Sequence, residues 1–194
     1  MIEAMPTFYL FVLAALGAGL LPKGSMRATL LLLVPVLAGL QIWSLPEGNL
    51  YQVELLGQPL ELMRVDKLSR VFGLIFCIAA FLGNLYAWHI KDTVQQIAAV
   101  LYSGSAIGAV FAGDLVTLFF YWEGTAIASV FLIWARRTEG AYHTGMRYLI
   151  IQITSGVILL AGTALLYRET SSIAFGQMTL GSLATWLIFL SFGM

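Results

Sequence analysis

The chain has 194 residues, of which 60% are hydrophobic and only 10% are charged. Soluble domains carry about 25% charged residues, so this composition indicates an integral membrane protein. The formal net charge is zero, which gives no reason to expect a nucleic-acid partner. Cys77 is the single cysteine in the sequence, so an intrachain disulfide and a CxxC metal or redox site are excluded.

Apolar runs predict an all-α integral membrane fold with six transmembrane helices and an incomplete seventh. The expected spans are residues 6–21, 28–45, 68–90, 94–112, 115–134 and 141–167, followed by a seventh run that starts near Met178. This last run stops at Met194 after roughly 17 residues, whereas a span needs about 20. We therefore expect residues 1–194 to form a single transmembrane domain whose chain ends inside helix 7, as a fragment or as a structure that a second polypeptide continues.

The polar segment between the second and third spans predicts a short extracytoplasmic β-hairpin. Its apolar residues alternate with polar ones on both sides of a turn expected at residues 57–59. The alternating apolar residues are Val53, Leu55, Leu60 and Leu62. Asp66 follows this segment and precedes the third span, where it is expected to cap the N-terminus of the helix.

Basic residues set the expected orientation of the spans. Six of them fall on one side, namely Lys23, Arg27, Lys91, Arg136, Arg137 and Arg147. Four fall on the other side, namely Arg64, Lys67, Arg70 and Arg168. Since cytoplasmic loops carry the excess of Lys and Arg, we expect a multi-pass protein with its N-terminus and hairpin outside.

The fifth span carries one ionisable residue, Glu123, close to its middle. A carboxylate at that depth costs roughly 2.5–3.5 kcal/mol on insertion scales, so such a residue usually has a function or a partner. Gly124 and Ala128 form a small face that allows close helix packing and would bury Glu123 in a bundle. The functional interpretation is a proton-carrying carboxyl group, and the alternative is a static buried group.

Two further ionisable residues are candidates for a proton path with Glu123. Arg147 lies in the first turns of the sixth span, at a depth from which a long guanidinium side chain and waters could reach towards Glu123. The alternative is a static pair, or a side chain that extends to the interface. Asp114, at the outer end of the fifth span, could feed an aqueous access path, although an ordinary turn residue is the simpler interpretation.

Other polar residues leave weaker hypotheses open. A water chain could use the spans' hydroxyl and amide groups, which more often bond their own helix or a neighbour. These residues are Ser103, Ser105, Gln152, Thr154 and Ser155. His89 and His143 could together ligate a haem, but both lie near the interface. The sequence contains no phosphate-binding loop, nucleophile elbow or metal-ligand cluster, so we predict no cofactor and no catalytic chemistry in this chain.

Three segments together resemble a known family of membrane proteins. They are VDKLSR at 65–70, GDLVTLFFYWEGTAIASVFLI at 113–133 and AYHTGMRYLIIQITSGVILLAG at 141–162. They resemble the antiporter-like subunits shared by respiratory complex I and the multisubunit Mrp-type Na⁺/H⁺ antiporters, with the D-type antiporter subunit the nearest in character. The resemblance runs from about residue 57 to residue 194.

The resemblance implies roles for particular residues. Glu123 matches the essential glutamate of the family's fifth helix, and Arg147 matches a basic position in the sixth. Asp66 and Lys67 match a recurring motif before the third helix. Family members have about fourteen helices with two inverted five-helix repeats, so this chain would hold the N-terminal part and lack the seventh-helix lysine.

The resemblance also implies a function and partners. The leading hypothesis is a proton-translocating subunit of a monovalent cation (Na⁺)/H⁺ antiporter, working with other membrane subunits, lipid, H⁺ and Na⁺ in the bacterial cytoplasmic (inner) membrane. The first alternative is a proton-pumping subunit of a complex I-type NADH:quinone oxidoreductase, in which the redox chemistry lies in other chains. The second alternative is a non-transporting scaffold of a membrane complex.

Overall fold

The structure is a computed structural model that describes residues 5–55, 57–176, 178–179 and 181–194. The described part is mostly helical with one small sheet, as the sequence predicts. The helices are α1 (Thr7–Leu20), α2 (Ser25–Ser44), α3 (Lys67–Tyr86), α4 (Thr93–Phe111), α5 (Leu115–Trp134), α6 (Glu139–Thr170) and α7 (Leu183–Gly193). The strands are β1 (Gly48–Leu55) and β2 (Gln58–Val65), and a short 3₁₀ turn at Ala87–His89 follows α3.

Helix length decides which elements can cross a bilayer. Five helices, α2 to α6, are long and apolar enough to do so. The 14 residues of α1 and the 11 of α7 fall short of the roughly 20 that a full span needs. The described residues therefore contain five to seven candidate spans, and the arrangement of six spans with an incomplete seventh stays a prediction.

Several predicted boundaries differ from the observed ones because of side-chain caps. Ser182 caps α7 by accepting a hydrogen bond from the Ala184 amide at 3.1 Å, so this helix begins later than the predicted start near Met178. Thr138 caps α6 by accepting from the Ala141 amide at 3.2 Å, so α6 begins before the predicted residue 141. The bounds of α5 agree with the prediction at both ends.

The hairpin is antiparallel, with Glu54 opposite Pro59. Its strands end at Leu55 and begin again at Gln58, so the turn comes slightly earlier than the predicted 57–59. Gly57 has a φ of +76°, in the left-handed region that glycine adopts without steric cost.

Helix α4 is the central element, because it packs against α1, α3 and α5. One core cluster joins α1, α2, α4 and the hairpin around Phe11, Ile42 and Phe111. A second, smaller cluster joins α5, α6 and α7 around Leu159 and Ile188. The α4–α5 contact therefore connects the two parts of the bundle.

Two glycines of α4 permit this packing. A Cβ at Gly104 would overlap the side chain of Phe11 on α1, and a Cβ at Gly108 would overlap the ring of Tyr121 on α5. The GxxxG spacing thus seats two aromatic side chains from two different helices. Close backbone approach of this kind is typical of small residues in membrane helices.

A buried arginine ties α2 to the start of α4. Arg27 is only 3% exposed, and its guanidinium donates to the Thr93 hydroxyl at 2.7 Å and to the Leu21 carbonyl. The Nε atom of Arg27 has no hydrogen-bond partner among the described residues. Although the sequence places Arg27 with the basic residues of one loop side, its side chain contributes to helix packing.

We expect Gly108→Ala to lower the stability of the bundle by about 1–3 kcal/mol, because the Tyr121 ring cannot yield without moving α4 and α5 apart. Gly83→Ala on α3 is the matched control. A Cβ there meets nothing within 4 Å, and alanine is the better helix former by about 1 kcal/mol. Thermal unfolding in detergent should therefore shift in opposite directions, and equal shifts would contradict this account of the packing.

Candidate functional site

Glu123 lies near the middle of α5 and points towards α6. It is the ninth residue of the helix, so it lies about 12 Å along the axis from the first residue. Its Oε1 atom is buried and has no hydrogen-bond partner among the described residues. Glu123 as a whole is only partly buried, so the burial applies to Oε1, which lies against α6.

The carboxyl group of Glu123 occupies space that a glycine leaves free. A Cβ at Gly156 on α6 would overlap Oε1 and would lie 2.8 Å from Cδ of Glu123 and 3.3 Å from the Phe119 ring. The described surroundings at this contact are thus a helix backbone and an aromatic ring. An ionised carboxylate without a partner in such a place is costly, so its charge must be neutralised or compensated.

Arg147 does not accompany Glu123. It is exposed on α6, nine residues before Gly156. At 1.5 Å and about 100° per residue, this separation is about 13 Å along the axis and half a turn around it. The described residues therefore do not bring Arg147 and Glu123 together. Counting residues along the sequence predicts how deep Arg147 and Glu123 lie along their helices. It does not predict in which direction each side chain points around its helix axis.

Asp114 caps α5 and holds the hairpin against it. It is 2% exposed, and its carboxylate accepts three hydrogen bonds of 2.7 Å each. Two come from the amide and hydroxyl groups of Thr117, and one comes from the Glu61 amide in β2. The Gly113 amide donates to the Glu61 carbonyl at 2.9 Å, which adds to the same junction. A role of Asp114 in a proton path stays a prediction.

Asp66 caps α3, as the sequence predicts. Its carboxylate accepts from the Ser69 amide at 2.7 Å, while the Ser69 hydroxyl accepts from the Asp66 amide at 2.8 Å. The bond from the Ser69 amide is the main factor that lowers the pKa of Asp66 below its ordinary value. Lys67 is the exposed first residue of the helix. A functional role of Asp66 and Lys67 stays a prediction.

The hydroxyl and amide residues proposed for a water chain have separate environments. Ser103 and Thr154 bond to carbonyls of their own helices. The Ser155 hydroxyl donates to the Ser191 carbonyl of α7 at 2.8 Å, and Ser105 lies against Gly124. Gln152 lines a groove of about 450 Å³ between α3, α4, α5 and α6.

Sequence reasoning missed three features of this region. It did not single out Gly156, because a lone glycine in an apolar helix has no distinguishing pattern. It also missed the 2.8 Å hydrogen bond from the Ser129 hydroxyl to Tyr148. The third feature is Trp122, whose Nε1 is buried with no hydrogen-bond partner among the described residues. No local signal in the sequence marks the Ser129–Tyr148 contact, because it depends on how α5 and α6 are rotated about their axes.

Residues 112–194 match the family model described as NADH:quinone oxidoreductase/Mrp antiporter, transmembrane. A Staphylococcus epidermidis protein named as a putative antiporter component is 31% identical over 117 residues, which are 57% of this chain and 15% of that protein. The A-type subunit of the Na⁺/H⁺ antiporter of Alkalihalophilus pseudofirmus is 28% identical over 116 residues, 56% of this chain and 14% of the relative. The chain thus spans about one seventh of the length of these relatives.

Three solved structures share the fold. One is the archaeal membrane-bound sulfane sulfur reductase, with a TM-score of 0.80 and 18% identity over 98% of this chain and 32% of that one. The Mrp complex of Dietzia gives a TM-score of 0.74 and 24% identity over 87% of this chain and 19% of that one. Respiratory complex I of Thermus thermophilus gives a TM-score of 0.73 and 20% identity over 96% of this chain and 42% of that one. The family resemblance is confirmed, while the antiporter relative of Alkalihalophilus is of the A type rather than the expected D type.

We expect Asp114→Ala to loosen the hairpin from α5, because the Glu61 and Thr117 amides lose their shared acceptor. An unsatisfied buried donor costs about 1–3 kcal/mol. Hydrogen exchange at Glu61 should therefore accelerate. Thr138→Ala removes the cap of α6 without touching the hairpin and is the control. Unchanged exchange in the Asp114 variant would contradict the junction described above.

Proposed function

We propose that this chain is part of a proton-translocating membrane subunit of a multisubunit Na⁺/H⁺ antiporter, and that Glu123 binds and releases the transported proton. The observation that carries the proposal is the Oε1 atom of Glu123, buried against Gly156 in the middle of α5 and without a partner among the described residues. Binding of one proton neutralises a carboxylate, and a neutral carboxyl group costs less in such a place than a charged one.

The proposed mechanism follows from the cost of an unpaired charge. With a proton bound, the Glu123 carboxyl group is neutral and needs no counter-ion. After the proton leaves, the carboxylate needs a compensating positive charge close by. We propose that a cationic side chain on another helix supplies this charge in alternation, in the position where the resemblance implies a lysine.

The comparisons support this choice of function. The family match includes all of α5, α6 and α7 and therefore contains Glu123. The matched relatives are named as components of antiporters, and the one from Alkalihalophilus as part of a Na⁺/H⁺ antiporter. Because this chain spans 15% and 14% of those two proteins, the cation, the partners and the activity of the whole assembly remain part of the proposal.

The other candidate residues receive more peripheral roles in the proposal. Asp114 would support the outer end of the path by fixing the hairpin to α5. Arg147 would act at the inner interface, since it lies on the far side of α6 from Gly156. Asp66 and Lys67 would define the start of α3.

The membrane topology completes the proposal. We infer six spans and part of a seventh in the bacterial inner membrane, with the N-terminus and the hairpin outside. The excess of basic residues at the opposite ends of the helices supports this orientation. The other membrane subunits of the assembly would cover the apolar helix faces that α3 and α7 leave exposed, including Phe72, Ile78 and Phe189.

A proton-pumping subunit of a complex I-type assembly is the second candidate function. The likeness to complex I of Thermus thermophilus extends over 96% of this chain, which favours this function over a scaffold. In that case, electron transfer in other chains would drive the same protonation of Glu123. A scaffold without transport is the third candidate and requires no proton exchange at Glu123.

We expect Glu123→Gln to lower coupled proton transport by about tenfold or more, equivalent to ~1.4 kcal/mol or more, because glutamine cannot exchange a proton. The native assembly that contains this chain should be assayed in membrane vesicles, with a Na⁺ gradient and, separately, with NADH. Na⁺-dependent transport without NADH supports the antiporter, and transport that requires NADH supports the redox-driven pump.

Glu54→Gln, an exposed change of the same chemistry in β1, is the control and should have no effect. Undiminished transport in an assembled Glu123→Gln protein would refute the proton-binding role. If the chain is a scaffold, transport should survive Glu123→Gln while Glu123→Leu disturbs assembly.

A further inference from the structure

We propose that Gly156 is a positioning residue that sets the location of the Glu123 carboxyl group by leaving a gap in the surface of α6. The proposal rests on the proton-binding role of Glu123 and assigns a function to a residue that carries no polar side chain. Glycine is the one residue that fits here without moving the carboxyl group, because even a Cβ would occupy the position of Oε1.

The contact at Gly156 differs from the other close glycine contacts of α6. A Cβ at Gly162 would meet Ile188, including its backbone nitrogen at 3.0 Å, and a Cβ at Gly145 would overlap the Trp134 ring. Those contacts involve backbone or a rigid ring. At Gly156 the nearest atoms belong to the end of the flexible Glu123 side chain, so this side chain can yield without separating the helices.

The rest of α6 is held in place from its other side. The Ser155 hydroxyl donates to the Ser191 carbonyl in α7, at 2.8 Å, and Leu159 is buried in the α5–α6–α7 cluster. Movement of α6 away from α5 would disturb both contacts. A methyl group at position 156 is therefore accommodated by rotation of Glu123 and a small shift of the Phe119 ring.

A displaced carboxyl group changes transport more than stability. Proton transfer requires donor and acceptor within hydrogen-bond reach, about 2.6–3.2 Å or through one water, so a displacement of an ångström or more interrupts it. Helix stability should stay the same or increase, because alanine is a better helix former than glycine. A structural role for Gly156 predicts the reverse, namely a less stable protein.

The test is a double-mutant cycle in the native assembly. Gly156→Ala should lower proton transport about tenfold while assembly and thermal stability are kept. Aspartate is one methylene shorter than glutamate, so its carboxyl group withdraws from the surface of Gly156. Because the shorter side chain also displaces the carboxyl group, Glu123→Asp should itself slow transport. Within that residual rate, adding Gly156→Ala should change transport by less than about twofold, which is the signature of coupled residues.

Gly162→Ala is the control, because its Cβ would meet α7 and not Glu123. It should reduce stability, and its effect should be the same with Glu or Asp at position 123. Equal effects of Gly156→Ala in the two backgrounds would overturn the positioning role. Loss of assembly in Gly156→Ala would also overturn it, because the helix rather than the side chain would have given way.

Glu123→Gln in the same preparation separates the two proposals. If that variant is inactive and Gly156→Ala is fully active, the proton-binding role stands and the positioning role is wrong. If Glu123→Gln is fully active, both proposals are wrong.

Discussion

The contact between the Glu123 carboxyl group and the backbone of Gly156 is the constraint on which the functional account depends. A polar atom buried among apolar groups is costly unless its group is neutral or paired, and no hydrogen-bond partner for the buried Oε1 lies within the described residues. The α5–α6 packing holds the carboxyl group in this place. The site therefore disfavours a carboxylate that stays ionised and unpaired.

The elements around this contact hold α5 from three sides. At its N-terminal end, Asp114 ties the helix to Glu61 of the hairpin. Along its length, Tyr121 seats on Gly108 of α4. On the other side, α6 is itself fastened to α7 through Ser155. In the proposed mechanism the side chain of Glu123 is therefore the part that moves, between helices that these contacts hold together.

The sequence predicted the elements well, because apolar runs of span length and capping residues are local signals. The bounds of α5 and the cap at Asp66 agree with the structure. The relation between Glu123 and Arg147 could not be predicted in the same way. It depends on how α5 and α6 are rotated about their axes, and a count of residues from the loop gives depth alone. Gly156 could not be identified from the sequence for the same reason, because its role depends on its contact with Glu123.

Infrared difference spectroscopy of the native assembly as a function of pH tests the central claim most directly. The account predicts a carboxyl C=O band that appears on protonation and vanishes on deprotonation, and that is missing in Glu123→Gln. Gly156→Ala should shift this band, because the carboxyl group changes its surroundings. A spectrum in which the wild type and Glu123→Gln are identical throughout the pH range of transport would contradict the claim that Glu123 exchanges a proton.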